Sequence, residues 1–340
     1  MTPVAIVGVG GYTGQEALRL VLGHPRLTLA GLFGSPDTAG KTLAEVVPAF
    51  RAVADQTIRE TSAPAIADSG AKAVLLATPH ELSMKLAPQL IAIGVTVFDL
   101  SGAFRLSDTG LYPKYYGFEH EETELLKSAV YGLPELAGDR IKAAKLISLP
   151  GCYATSVIVP ITPLVQAGVL DRSRPVVVDA TSGVSGAGRS ANARTSFCEV
   201  SQSPYGVGSH RHTPEMAQYT GADIVFTPHL GPYDRGILST IHADLNAGVS
   251  RENVVNALTD AYASHPFVRI LPDGQWPSVN AVRHTNMIDI GVFVDEARNH
   301  LILISAIDNL LKGASGQAIQ AVNAHYGWDQ RLGLMPGGGE

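Results

Sequence analysis

Short apolar runs alternate with amphipathic ones through the first part of the chain. Val4, Ala5, Ile6 and Val7 lead the first, residues 4–9, an apolar stretch of the kind a strand buried on both faces requires. Residues 16–22 follow with helical spacing and end near Gly23. Further strands are predicted at 27–33, 73–78 and 95–100, with a helix over 82–93. Strand and helix in alternation, joined by short links, imply a parallel sheet with right-handed crossovers. The expected architecture is α/β, a doubly wound Rossmann-type domain.

The pattern changes after Leu149. Longer extended runs occupy 176–179, 223–227, 237–245 and 287–307, and Glu296-Ala297-Arg298-Asn299 breaks the last as a hairpin turn. Residues 251–263 form the clearest helix of this part, with Val254, Val255, Leu258 and Ala261 on one face. Such strand-rich content predicts an α+β domain with a largely antiparallel sheet and helices on one side. Residues 308–324 return to helix and are expected to pack back on the first domain. The expected boundaries are 1–148 for a dinucleotide-binding domain and 149–307 for a catalytic, substrate and oligomerisation domain. Residues 308–340 hold the returning helix and a short tail, of which 337–340 reads as disordered. Pro160 falls inside the helix predicted after Cys152 and is expected to kink it.

Composition narrows the classes. At 340 residues the chain can hold two domains and a large core. A net charge of −6 without any basic block argues against nucleic acid as a partner. Charged residues are 16% against 45% hydrophobic, a balance that suggests apolar surface buried between subunits, hence a homo-oligomer, dimer or tetramer. Two cysteines, Cys152 and Cys198, cannot build a disulfide framework and suit a reducing cytosol. Residues 1–10 lack a charged leader and cleavage site, and no 18-residue apolar run occurs. The expectation is a soluble cytoplasmic protein with no membrane contact.

Two short elements carry the chemistry. Gly8, Gly10, Gly11 and Gly14 lie between the first strand and the first helix, with Tyr12 and Thr13 in the same loop. Glycine there lets the backbone approach a pyrophosphate, whose charge the helix N-terminus favours. No acidic residue stands directly at the end of the second strand. Ser35 takes the expected ribose-contact position, Asp37 lies past Pro36, and Lys41 follows. This leans towards the 2′-phosphate of NADP (NADPH) rather than NAD. Cys152 follows the Pro150-Gly151 turn and opens an apolar run that reads as a helix. A thiol at a helix N-terminus faces backbone N–H groups and the positive end of the dipole, which favour the nucleophilic thiolate.

Downstream, His210-Arg211-His212-Thr213-Pro214-Glu215 supplies imidazole and carboxylate. His212 is the preferred acid/base, because Glu215 lies three residues on and would orient its ring where the segment turns. His210 is the competitor, and the sequence does not choose between them. One H-x-H pair lacks the further ligands a zinc site needs, so no metal is expected. Arg105 follows Ser101-Gly102-Ala103-Phe104 beyond the end of the fourth parallel strand, where such sheets place ligands, and its guanidinium suits phosphate or carboxylate. The glycine-rich loop 182–189 offers Ser182, Gly183, Gly186 and Arg189 as a close wall for substrate or nicotinamide. Together, a dinucleotide site and a helix-capping thiol point to hydride transfer at a carbonyl held on sulfur. An acyl phosphate is then the natural small-molecule substrate.

The chain resembles the N-acetyl-gamma-glutamyl-phosphate reductases, the arginine-pathway branch of the semialdehyde dehydrogenase superfamily. Matching blocks run nearly end to end, among them 8–14, 99–106, 130–135, 150–155, 182–189, 210–215, 226–230 and 308–313. The SGVSGAGR and HRHTPE blocks separate this family from the aspartate-semialdehyde enzymes. The resemblance implies NADPH-dependent reduction of N-acetyl-gamma-glutamyl phosphate through a thioester on Cys152. It also implies Arg105 near the substrate phosphate, with Ser101 and Asn309 on the cofactor side. A plain helix cap is the other reading of Asn309. Three alternatives stand beside this one: an aminoadipyl-phosphate reductase, an aspartyl-phosphate reductase and a non-catalytic nucleotide sensor.

Overall fold

Alternation along the first strand sorts its side chains to two cores. In β1 (Thr2–Val7), Val4 and Ile6 join Ala17, Leu18 and Val21 on one side, while Ala5 and Val7 join Met84, Ala87 and Leu90 on the other. Both faces of the strand are therefore dry, which explains its unbroken apolar sequence. The structure is a computed structural model that describes residues 1–54 and 56–335; the tail expected to be disordered, 337–340, lies outside the described residues.

The sheet continues with β2 (Leu27–Gly34), β3 (Arg59–Glu60), β4 (Ala73–Leu76), β5 (Thr96–Asp99), β6 (Val130–Tyr131) and β7 (Leu146–Ser148). Its order is β3-β2-β1-β4-β5-β7-β6, and every pairing is parallel. The reversal of direction at β1 creates the switch point beside which such sheets bind ligands. β1 ends at Val7 and not at Val9, because Gly8 turns out of the strand at φ +90°. The first helix, Tyr12–Gly23, begins earlier than its periodicity indicates. The C-terminal helix Gly316–His325 packs on it, and the His24 ring meets the Asn323 side chain at 3.0 Å.

The chain divides into two compact units, 1–150 together with 314–340, and 151–313. The second crossing falls at 313/314 and not at 307/308, since Asp308 and Asn309 are bonded to Arg235 and Gly236 of the second unit. The expected helix over 308–324 is accordingly divided. A π-helical turn, Leu311–Ser315, precedes the α-helix, and the Asp308 carboxylate takes the amides of Leu310 and Leu311. An aspartate that bonds its own neighbouring backbone competes with helix formation.

The second unit is built on β8 (Val176–Gly183), β9 (Ser203–Pro204), β10 (Ile224–Gly231), β11 (Ile237–Asp244), β12 (Val268–Ile270), β13 (Ile288–Asp295) and β14 (His300–Ile307). The order is β12-β13-β14-β11-β8-β10-β9, with β8/β10 and β12/β13 parallel and the remaining pairs antiparallel. The helix Cys152–Gln166 packs on β11 and β14 and is almost wholly buried. It holds both Pro160 and Pro163. Each proline lacks the N–H that would reach the carbonyl four residues earlier. Those two carbonyls find hydroxyl donors: Ser305 Oγ bonds Ser156 O at 2.6 Å and Tyr262 Oη bonds Val159 O at 2.5 Å. Among the described residues no helix is long and apolar enough to cross a membrane.

Candidate active site

Glycine makes two close approaches in the loop after β1. A Cβ on Gly8 would stand 2.2 Å from the Ala77 carbonyl oxygen, and one on Gly14 would stand 2.2 Å from the Gly8 oxygen. Neither contact tolerates a side chain, so the helix Tyr12–Gly23 sits tight on the strand ends. Gly10 and Gly11 differ. A Cβ there would meet nothing nearer than 3.6 Å, and the helix N-terminus behind them is capped by no side chain. That leaves a turn without side chains at a helix N-terminus, of the kind a diphosphate approaches; within it the Gly11 amide donates to the Gly8 carbonyl at 3.2 Å. Tyr12 is exposed, and the Thr13 carbonyl accepts Ser315 Oγ at 2.7 Å.

Ser35 follows β2 directly, is exposed, and its carbonyl accepts the Thr38 amide and hydroxyl. The fold brings an arginine to this strand end from β3: Arg59 pairs with Phe33, and its guanidinium lies 5.4 Å over the Phe33 ring. Glu60 stands opposite Gly34 in the same register. A two-residue strand carries too little periodicity to be read beforehand.

Arg105 is buried. Nε donates to the Leu149 carbonyl at 2.8 Å and Nη2 to the Leu100 carbonyl at 2.9 Å, so the guanidinium spans the carboxyl ends of β5 and β7. It is no surface ion pair. Ser101 is committed locally: its hydroxyl donates to Asp99 and accepts the Ala103 amide. Asp99 is fully buried, and burial pushes its carboxyl up, against bonds from Ser101 and Ser83 and the charge of Arg105.

In the second unit Cys152 is the first residue of its helix, with Gly151 as the cap in extended conformation. The His212 imidazole lies directly against Gly151. A Cβ built on that glycine would fall 2.2 Å from His212 Nε2. His212 opens the helix His212–Thr220 and is buried. Glu215 is buried one turn later, and its Oε1 accepts the Gly151 amide at 2.8 Å. Two of the residues expected from HRHTPE, His212 and Glu215, thus meet at the turn that carries the thiol. His210 takes a different place. Its Nδ1 accepts the His212 amide at 3.2 Å, and its ring is boxed edge-on by Tyr153, Tyr205 and Phe226. Burial, aided by the Arg211 charge, pushes its imidazole down to about 4.

The phenol next to the thiol belongs to the same cluster. Tyr153 Oη donates to the His229 carbonyl at 2.9 Å and accepts Tyr205 Oη at 3.2 Å. Burial holds the Tyr153 hydroxyl well above its ordinary range and pushes Tyr205 up to about 12. Both phenols therefore stay protonated as donors. Sequence reasoning missed them, since Tyr205 precedes Gly206 in an irregular segment with no motif around it.

The 182–189 loop meets Asn309. A Cβ on Gly186 would stand 2.7 Å from Ser182 Oγ and 3.8 Å from Asn309 Nδ2. Asn309 donates to Ser185 Oγ at 3.0 Å and accepts the Gly236 amide at 2.6 Å, a cross-link between loops and not a helix cap. A Cβ on Gly183 would stand 2.5 Å from the Arg235 nitrogen, and Arg189 is exposed. Cys198 is exposed in the segment after that loop. Among the described residues no three His, Cys, Asp or Glu side chains gather in metal-binding geometry.

Two family models match the chain. One described as semialdehyde dehydrogenase, NAD binding domain, covers residues 3–144, and one described as semialdehyde dehydrogenase, dimerisation domain, covers 152–309. Curated relatives named N-acetyl-gamma-glutamyl-phosphate reductase include the Vibrio parahaemolyticus protein, 46% identical, and that of Escherichia coli strain K12, 44% identical. Each is aligned over 98% of this chain and 100% of the relative. Among solved structures, aspartate semialdehyde dehydrogenase II of Vibrio cholerae, complexed with ASA, superposes at TM-score 0.71 and 19% identity. The Candida albicans aspartate semialdehyde dehydrogenase with NADP superposes at 0.72 and 14%. Each covers 95% of this chain and 98% of its own, a likeness of fold.

Proposed function

We propose a function from one established premise: the chain belongs to the N-acetyl-gamma-glutamyl-phosphate reductase family. It reduces N-acetyl-gamma-glutamyl phosphate to N-acetyl-glutamate 5-semialdehyde and phosphate, with Cys152 as the nucleophile. The observation that carries this reading is the His212 ring seated on Gly151, the residue that caps the Cys152 helix.

The Cys152 thiolate attacks the gamma-carbonyl, a C–S bond forms, and the C–O bond to phosphate breaks with its electron pair on the leaving phosphate. Arg105 carries the positive charge assigned to that phosphate; its anchor on Leu149 lies three residues before Cys152 in the chain. A bound reduced nicotinamide supplies hydride to the thioester carbonyl. His212 protonates the oxyanion and takes the proton back as the C–S bond breaks, which frees the aldehyde and restores the thiolate. Glu215 fixes the Gly151 amide and so the turn under both groups. His210, held neutral and bonded to the His212 amide, supports the ring beside it. The side-chain-free turn at Gly10-Gly11, before the helix N-terminus, fits the cofactor's diphosphate. Ser182, Gly186 and Asn309 form the group assigned to its nicotinamide side.

The cofactor reading is NADP. No acid ends β2, and Arg59 offers a guanidinium beside Phe33 for a 2′-phosphate. The assembly is a homo-oligomer built on the second sheet. Val225, Val177, His242, Ile302 and Phe293 form one row across β10, β8, β11, β14 and β13. Val225 and Phe293 are 48% and 45% exposed in one chain, an apolar face suited to a second copy.

The test is NADP reduction by the purified protein with N-acetyl-glutamate 5-semialdehyde and phosphate. Turnover that needs phosphate supports the reading. Turnover confined to the aminoadipate analogue moves the substrate, and no turnover with either removes the activity.

A further inference from the structure

We propose that Asp308 and Gly313 are positioning residues for Cys152, and that the π-helical turn between β14 and the C-terminal helix holds the thiol in one rotamer. The proposal rests on Cys152 being the nucleophile.

The turn is built by one carboxylate. Asp308 is fully buried and its two oxygens serve four donors. Oδ2 accepts Arg235 Nε at 2.6 Å and the His284 amide at 2.7 Å; Oδ1 accepts the amides of Leu310 at 2.9 Å and Leu311 at 3.0 Å. The Arg235 side chain and the backbone at 284 and at 310–311 are thereby tied to one point. The Gly313 amide then reaches back five residues to the Asp308 carbonyl at 2.9 Å, which makes the turn π and not α. Lys312, fully buried with its ammonium 5.7 Å over the Phe267 ring, pins the same turn. Single π turns inside helical runs recur at functional sites.

This geometry presses Gly313 against the cysteine. A Cβ on Gly313 would stand 2.7 Å from Cys152 Cβ and 3.2 Å from Cys152 Cα. Gly313 has no positive φ, so glycine is needed there for space alone. A side chain on Cβ has three staggered wells. Backbone packed on one side of that Cβ removes part of the choice and leaves the sulfur pre-aimed. Fixing the direction of attack before substrate arrives is worth much in rate and little in ground-state binding.

The experiment pairs Gly313→Ala with Asp308→Asn, which offers an amide where two donors need an acceptor. Steady-state kinetics, thermal midpoints and the pH profile of Cys152 alkylation by iodoacetamide, read by peptide mass spectrometry, are measured on both. For Gly313→Ala, kcat is expected to fall about 100-fold with KM for NADP within about threefold. The alkylation midpoint should stay at the wild-type pH, because the helix N-terminus that favours thiolate is intact. Asp308→Asn should show the same split, less deeply. A kcat within threefold of wild type in either variant overturns the proposal. So does a loss of kcat matched by a loss in NADP affinity or thermal midpoint, or a shifted alkylation midpoint. Full activity in Cys152→Ala would instead overturn the nucleophile itself.

Discussion

The Gly151 α-carbon and the His212 imidazole are in such close contact that a single added methyl would lie 2.2 Å from Nε2. Gly151→Ala should therefore move the ring away from the neighbouring thiol while leaving the fold intact. A 1 Å displacement of a reacting group costs on the order of 100-fold in rate. Steady-state kcat beside the thermal midpoint checks this. Unchanged kcat would show that the ring is not engaged in proton transfer.

His212 and His210 should separate under mutation. His212→Asn is expected to lower kcat by ~10²–10⁴-fold, the range for loss of a general acid/base. His210→Asn should lower it less. His210 is also linked to folding through its proton. The His210 imidazole is pushed down to about 4 from an ordinary 6.5. Between those values the unfolded chain binds a proton that the folded protein does not, so stability falls as pH drops from 6.5 towards 4. His210→Asn should flatten that slope in urea titrations run across the same interval.

The proline-containing helix depends on borrowed donors. Ser305→Ala and Tyr262→Phe each leave a buried carbonyl of the Cys152 helix without its hydroxyl. A loss of about 1–3 kcal/mol is expected from each, the usual penalty for an unsatisfied buried group. Denaturant midpoints measure it.

Arg59 stands one strand away from the end of β2, with Glu60 next to it. Arg59→Ala should raise KM for NADP about tenfold or more and leave KM for NAD nearly unchanged, since only the 2′-phosphate carries the extra charge. Glu60→Gln should leave NADP preference standing. Equal effects of Arg59→Ala on both cofactors would argue for NAD.

Much of this was readable in advance because the deciding interactions are local. The apolar run of β1, the glycines after it and a cysteine at the head of an apolar helix each announce themselves within a dozen residues. What could not be read was set by distant partners. Pro160 and Pro163 each free a carbonyl of their helix, and the hydroxyls that take them, of Ser305 and Tyr262, come from far along the chain. The helix expected from 308 is reshaped by an aspartate whose partners include Arg235 and His284. His210 and His212 look alike in sequence. Tyr205 and Phe226, from separate strands and loops, bury one of them in an aromatic box.

The most direct measurement is a trap of the covalent intermediate. The purified protein is mixed with N-acetyl-gamma-glutamyl phosphate in the absence of reduced cofactor, quenched in acid and digested for mass spectrometry. The expected result is one N-acetylglutamyl group on the peptide that holds Cys152, lost on addition of NADPH and absent from Cys152→Ala. An unmodified Cys152 peptide from enzyme that still turns over with NADPH would contradict the thioester and, with it, the role given to every residue around that thiol.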